Sequence, residues 1–217
     1  MENLLALIFL GVLIFGFGRK PEPVKNRQVR FELSTGRHAN LNLDFFPSEL
    51  RTVDPPRTDS YGSWFRTLHS EYKPGMRTLY EAIAKETRLE QHDFDETVVR
   101  LVQQIPYDFI PERYHDRPTH DLFPPKLTLY EQYGDCDSKS LLLATLLTYK
   151  HPVLLLFGQR HALVAIPGTL RPGDHGFRLA GREWLLCETT QVSPIGRIAE
   201  SVWRDIETGK YEALLLE

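Results

Sequence analysis

Two cysteines are all that this 217-residue chain contains. No C-x-x-C spacing links them, which argues against a disulfide framework and a cysteine-rich zinc site. An excess of positive charge is also lacking: Lys and Arg number 26 against 29 Asp and Glu, for a net charge of −3. No basic run occurs beyond the segment following the N-terminal apolar stretch, so a nucleic-acid partner is disfavoured. The eight histidines show no metal-ligand spacing; His115 and His120 bracket the Pro-containing loop HDRPTH, a solvent or cleft-rim setting. Internal repeats and low-complexity tracts are absent as well, which excludes a solenoid or a biased tail.

Long apolar runs are few, and one stands out. Residues 4–18 (LLALIFLGVLIFGFG) form an uncharged stretch of 15 residues, slightly short of the ~17–25 usual for a membrane span. A secretory signal is the rival reading, but Glu2 replaces the expected basic start and no small-x-small cleavage site follows. The expectation is an uncleaved single-pass anchor over residues 1–18. Arg19, Lys20, Lys25, Arg27 and Arg30 follow it, so the positive-inside rule puts the rest of the chain in the cytoplasm. Residues 19–27 (RKPEPVKNR) read as a linker, and 28–217 as a domain large enough for a substantial core.

The chemistry centres on Gly134-Asp135-Cys136-Asp137-Ser138-Lys139. The following SLLLATLLTY is apolar almost all round, as expected of a buried central helix. Cys136 falls in its first turn, where unpaired N–H groups and the helix dipole favour thiolate. Asp135 and Asp137 oppose this by repulsion, so a cationic neighbour is needed. Two readings share these letters: a nucleophile, or a structural cysteine beside an N-cap Asp135.

Downstream segments supply the partners. VLLLF at 153–157 reads as a buried strand, 158–160 as a turn, and 161–166 and 183–188 as two further strands. Paired antiparallel in full register, these last two set His161 opposite Glu188, with Cβ atoms ~4.5–5.5 Å apart. Cys136, His161 and Glu188 then form a nucleophile, a base and an orienting carboxylate. His161 would bring the thiol pKa below the ~8.5 of a free cysteine. Taken singly, His161 also fits a satisfied strand-end histidine and Glu188 a solvated strand end. Cys187 points to the opposite face from Glu188 and reads as structural.

FPPKLTLYEQYGDCDSKSLLLATLL at 123–147, HALVAIPG at 161–168 and CETT at 187–190 resemble the transglutaminase-like cysteine enzymes, in particular bacterial cysteine proteases of that type. The likeness spans residues 90–200. It implies an α+β papain-like core, with the nucleophile at the start of a buried helix packed on an antiparallel sheet, and assigns the triad to Cys136, His161 and Glu188. Two departures are visible: Ser138 stands where an acidic residue is common, and Glu188 where much of the family has Asp. In some relatives the acidic flanks bind calcium, which would carry over to Asp135 and Asp137. Two carboxylates are a thin set for an ion taking 6–8 oxygens, and no other cofactor is implied. Gln132, one helical turn before the cysteine, has the amide chemistry of a second oxyanion donor, with Tyr130 and Tyr133 as competitors.

The remaining organisation is a hairpin over 28–46 turning near Thr35-Gly36, a Pro-rich loop at 47–61, and helices over 76–85 and 94–104, the latter capped by Asp93. A long connection at 106–125 runs into the nucleophile motif and would wall a cleft. The functional expectation is a membrane-anchored cysteine enzyme acting on peptide or glutamine-type amides through a thioester, with water or an amine as acceptor. The alternative is a non-catalytic peptide-binding or scaffold module of the same fold. Placement is tested by fractionation with protease protection: the domain should pellet with membranes and resist protease in intact cells. A soluble form beginning near residue 19, or digestion from outside, would refute it.

Overall fold

The computed structural model describes residues 24–33, 36–55, 60–90 and 93–217. The expected anchor at 1–18, most of the linker and Thr35 at the hairpin turn lie outside the described residues. Among the described residues no helix is long and apolar enough to cross a membrane. The architecture is mixed α+β.

An antiparallel ribbon comes first, β1 (Lys25–Glu32) against β2 (His38–Phe45), with Lys25 opposite Phe45 and Glu32 opposite His38. In β2 every second residue is apolar, and Ala39, Leu41, Leu43 and Phe45 are all buried, as a strand with one face on the core requires. The ribbon starts inside the expected linker. Lys25 and Arg27 lie 5.2 and 5.3 Å from the ring centre of Tyr130, so they belong to the packed domain.

Three helices follow. α1 (Tyr61–Tyr72) starts where Ser60 accepts the Ser63 N–H and buries Trp64, Phe65, Leu68, His69 and Tyr72, a helical stripe that the Pro-rich loop reading stopped short of. A 3₁₀ turn at Lys73–Met76 leads into α2 (Arg77–Glu90). α3 (Phe94–Gln104) begins as its sequence signals, with Asp93 accepting from the N–H groups of Asp95 and Glu96 at 2.8 and 3.2 Å. The connection after it holds a two-residue ribbon, β3 (Arg113–Tyr114) with β4 (Arg117–Pro118), and then a short helix α4 (Pro125–Glu131).

α5 (Cys136–Leu147) is the centre of the molecule. Every residue from Ser138 to Leu147 is buried, because its apolar surface runs all round and α3, α4 and the sheet each cover a side of it. The sheet has five antiparallel strands in the order β7 (Gly176–Leu179), β8 (Arg182–Cys187), β6 (Ala162–Pro167), β5 (Val153–Phe157), β9 (Glu212–Leu216). One face gives Val153, Leu155, Val164, Ile166 and Cys187 to the core around α5. The other gives Leu154, Leu156, Leu163, Ala165 and Leu186 to a second core closed by Val202, Trp203 and Ile206, of which α6 (Glu200–Glu207) carries all three. Burial on both faces is why β5 reads as an unbroken apolar run.

The register corrects the full-register expectation. Val164 lies opposite Cys187 and Pro167 opposite Trp184, a slip of two residues from the pairing that sets 161 against 188. A slip of two preserves side-chain faces. Both His161 and Glu188 fall just outside their strands, so strand alternation places neither of them.

Ser138 ties the incoming chain to α5. Its Oγ accepts the Phe123 N–H at 2.9 Å while its own N–H caps onto Asp135 at 2.9 Å, and Ser138 and Phe123 are fully buried. Ser138→Ala should leave the Phe123 N–H without an acceptor and lower the unfolding free energy by about 1–3 kcal/mol. Urea denaturation with an unchanged slope would register this; an unaltered midpoint would show the bond to be dispensable.

Candidate active site

The ends of β8, β6 and α5 converge on one buried carboxylate. Glu188 is only 2% exposed. Its Oε1 accepts from the Thr189 N–H (2.9 Å), the Thr190 N–H (2.9 Å) and the Thr190 hydroxyl (2.8 Å), and its Oε2 lies 3.3 Å from His161 Nε2. Burial pushes the carboxyl up, but His161 and the Thr190 donors more than reverse this, and it settles at about 2. It stays ionised throughout the neutral range.

His161 stands where the β5–β6 turn closes, its carbonyl accepting the Gly158 N–H at 2.9 Å. The turn is shaped by Tyr211. A Cβ on Gly158 would meet that ring at 2.5 Å, so glycine is what lets the phenol lie against the turn. With Nε2 committed to Glu188, Nδ1 is the ring nitrogen left to accept a proton.

Cys136 is the first residue of α5, with Asp135 as N-cap. The backbone N–H groups of Ala162, the residue after His161, and of Asp137 face its sulfur. The thiol nevertheless departs from the sequence expectation. Burial raises it, the negative charge of Asp137 raises it further, Asp135 adds to this, and the two N–H groups recover only part, leaving it pushed up to about 12. Magnitudes explain the reversal. A helix N-terminus contributes about 0.3–1 kcal/mol, less than one pKa unit, whereas desolvation moves buried groups by up to ~3–5 units. The group at rest is a thiol.

Asp135 and Asp137 have duties of their own. Asp135 caps α5, while Asp137 Oδ2 accepts from the Tyr61 hydroxyl at 3.0 Å. Burial raises both, Asp137 to about 6 with Asp135 as its next cause. Among the described residues no group of three or more His, Cys, Asp or Glu side chains is arranged to hold a metal ion. The two calcium candidates are thus one helix cap and one phenol partner.

Gln132 is directed elsewhere. It ends α4 in the left-handed region (φ 59°), so it is not a turn of the cysteine helix, and its Nε2 donates to the Gln28 carbonyl in β1 at 2.9 Å. Tyr130 receives Lys25 and Arg27, and Tyr133 packs on Phe123.

Several neighbours escape sequence reasoning. Burial raises the phenols of Tyr61, Tyr107 and Tyr211, and each lies close enough to the sulfur for a thiolate there to raise it further. They come from α1, the connection after α3, and the residue before β9, and no local motif announces them. Thr189 and Thr190 stood in view in CETT. Lys139 is fully buried, donating to the Ile105 and Gln103 carbonyls at 2.6 and 3.4 Å. Burial lowers it to about 8 against the opposing pull of Glu188.

No family model and no curated protein matches the chain. Among solved structures, a crystal structure named a "putative protease" from Parabacteroides distasonis is similar with a TM-score of 0.31 at 13% identity, over 82% of this chain and 42% of that one. The chain therefore spans less than half the length of that protein, and likeness at this level carries no argument about fold or activity.

Glu188 gives the site a pH signature. Its native pKa near 2 lies below the ordinary 4.5, so between these values the unfolded chain binds a proton that the native one does not. Its stabilisation is complete above pH 4.5 and is lost as pH falls through 2, amounting to about 3 kcal/mol. The gap in unfolding free energy between the native protein and Glu188→Gln should close by that order between pH 5 and pH 2. Parallel profiles would mean that Glu188 is not held as a buried carboxylate.

Proposed function

We propose that this protein is a cysteine hydrolase or acyltransferase acting on peptide or glutamine-type amides, with Cys136 as nucleophile, His161 as general base and acid, and Glu188 as the orienting carboxylate. The observation that carries the reading is the direct His161–Glu188 contact at 3.3 Å, beside a helix-start thiol whose sulfur faces the next residue's N–H. Because that thiol rests protonated, the mechanism is general-base catalysis and not attack by a preformed thiolate.

As the Cys136 sulfur bonds to the substrate carbonyl carbon, its proton passes to Nδ1 of His161 and the C=O π electrons move onto oxygen. The Cys136 N–H, one of the first-turn groups without a helical acceptor, is available to that oxyanion. Collapse of the tetrahedral intermediate expels the amine, which takes the proton from His161 and leaves a thioester. Water, or a second amine, then attacks; its proton goes to His161 and returns to the departing sulfur. Glu188 remains ionised throughout and stabilises the imidazolium. Tyr61, Tyr107 and Tyr211 lie near the sulfur, and aromatic surface of this kind suits a peptide substrate. The apolar stretch at 4–18 would tether the domain to a membrane, on its cytoplasmic side.

A second reading, a peptide-binding module without turnover, is favoured by one observation: the thiol raised to about 12. An acylating, amide-mimicking probe separates the two. Mass-mapped adducts should fall on Cys136, vanish on denaturation, and spare Cys187, which is fully buried. Cys136→Ala should abolish acylation at an unchanged melting midpoint, and Glu188→Gln should slow it by up to ~10⁴. His161→Ala should be worse, with the double variant close to His161→Ala alone. No acylation of the folded protein would leave the binding module, and full activity in Glu188→Gln would remove that residue from the proposal.

A further inference from the structure

Glu188 meets His161 from a segment that lies beyond the last hydrogen-bonded residue of β8, so ladder pairing does not fix its backbone. A side chain 85 residues earlier in the chain does. Gln103, near the end of α3 and 5% exposed, directs Nε2 to two carbonyl oxygens, those of Glu188 and Ser193, at 2.9 Å each. Its Oε1 accepts the Ser193 N–H at 3.2 Å. One planar amide thus closes the loop 188–193 at both ends, with both N–H donors and its oxygen engaged. The helix turn that carries it is itself tied down, since the buried Lys139 ammonium donates to the carbonyls of Gln103 and Ile105. Ser140 on α5 adds a hydroxyl contact to Thr189 at 3.2 Å.

The carboxylate has little freedom to compensate for a shift of this loop. Three of its donors come from the adjacent residues Thr189 and Thr190, so backbone and carboxylate move together, while His161 belongs to a different strand end. Displacing residue 188 therefore changes the imidazole contact and leaves the carboxylate's local bonds intact.

We infer that Gln103 is a positioning residue, whose amide sets the backbone of residues 188–193 so that the Glu188 carboxylate reaches His161. The inference rests on the proposed roles of those two residues. Replacing Gln103 with Met keeps volume and removes all three hydrogen bonds. The loop then shifts, and a misplacement near 1 Å costs on the order of 10²-fold in turnover, with KM little changed because Gln103 touches no substrate.

The test combines kinetics with the imidazole N–H signal of His161, observed in the ¹⁵N-labelled full chain and assigned by its absence from His161→Ala. The native protein should show a slowly exchanging Nε2–H. Gln103→Met should lose it to solvent exchange while keeping a single cooperative melting transition, and acylation by the amide-mimicking probe should slow by that 10²-fold. Gln103→Glu serves as the second variant. At neutral pH it should behave like Gln103→Met, because the new carboxylate faces two carbonyls. In mild acid its protonated form regains one donor, and the signal should return while Glu188 remains ionised. An unchanged His161 signal in folded Gln103→Met would overturn the inference. Failure of both variants to fold would also overturn it, making Gln103 a structural residue only. Because the signal does not depend on turnover, it still reports on Gln103 if Cys136→Ala refutes the nucleophile.

Discussion

One buried carboxylate has to stay ionised for the rest of the site to have meaning. Removing a carboxylate from water costs several kcal/mol even after relaxation, and Glu188 is almost fully removed. The cost is offset by three donors within two residues of it and by the imidazole across from it. The loop after β8, the turn between β5 and β6, and the end of α3 all have to be where they are for this set to be complete. A defect in any of them parts the carboxylate from its imidazole and leaves the buried charge to its three local donors, which is why a feature local in most of its bonds is global in its requirements.

The charges around it pull in different directions. Asp135 and Asp137 start α5 and raise the thiol beside them, while Lys139, one turn further along the same helix, spends its hydrogen bonds on carbonyls below the site. The positive charge therefore steadies the backbone near Glu188 and is not hydrogen-bonded to the sulfur. The sulfur is left to the backbone N–H groups of Ala162 and Asp137. Burial and the two aspartates together keep the resting cysteine in its thiol form.

Much of this was legible where local physics dominates. The Asp93 cap, the strict alternation of β2, the two-faced apolar run of β5 and the all-apolar surface of α5 each declare their element, because capping and burial act over a few residues. The helix start at Cys136 follows from the same rules. Less legible were α1, α4, α6 and β9. Of these, α4 is too short to show a period, and β9 joins the sheet by pairing with β5 across a long separation. The slip in the β6–β8 register is of the same kind, since the pairing is decided by packing on both faces and not by the strand ends.

The sequence by itself determined which side chains could do chemistry: a helix-start cysteine, then a histidine and a glutamate at the ends of two strands. Tertiary structure decided what those side chains are. It held Glu188 well below the ordinary carboxylate range and raised Cys136 well above that of a free thiol, reversing for the cysteine what a helix N-terminus alone would do. It turned Gln132 toward β1 and brought Gln103 to the Glu188 carbonyl. The physical reason is the same in each case: helix caps and dipoles act within a turn, whereas desolvation and buried hydrogen bonds depend on which distant segments close around a group, and at this site the second set is larger.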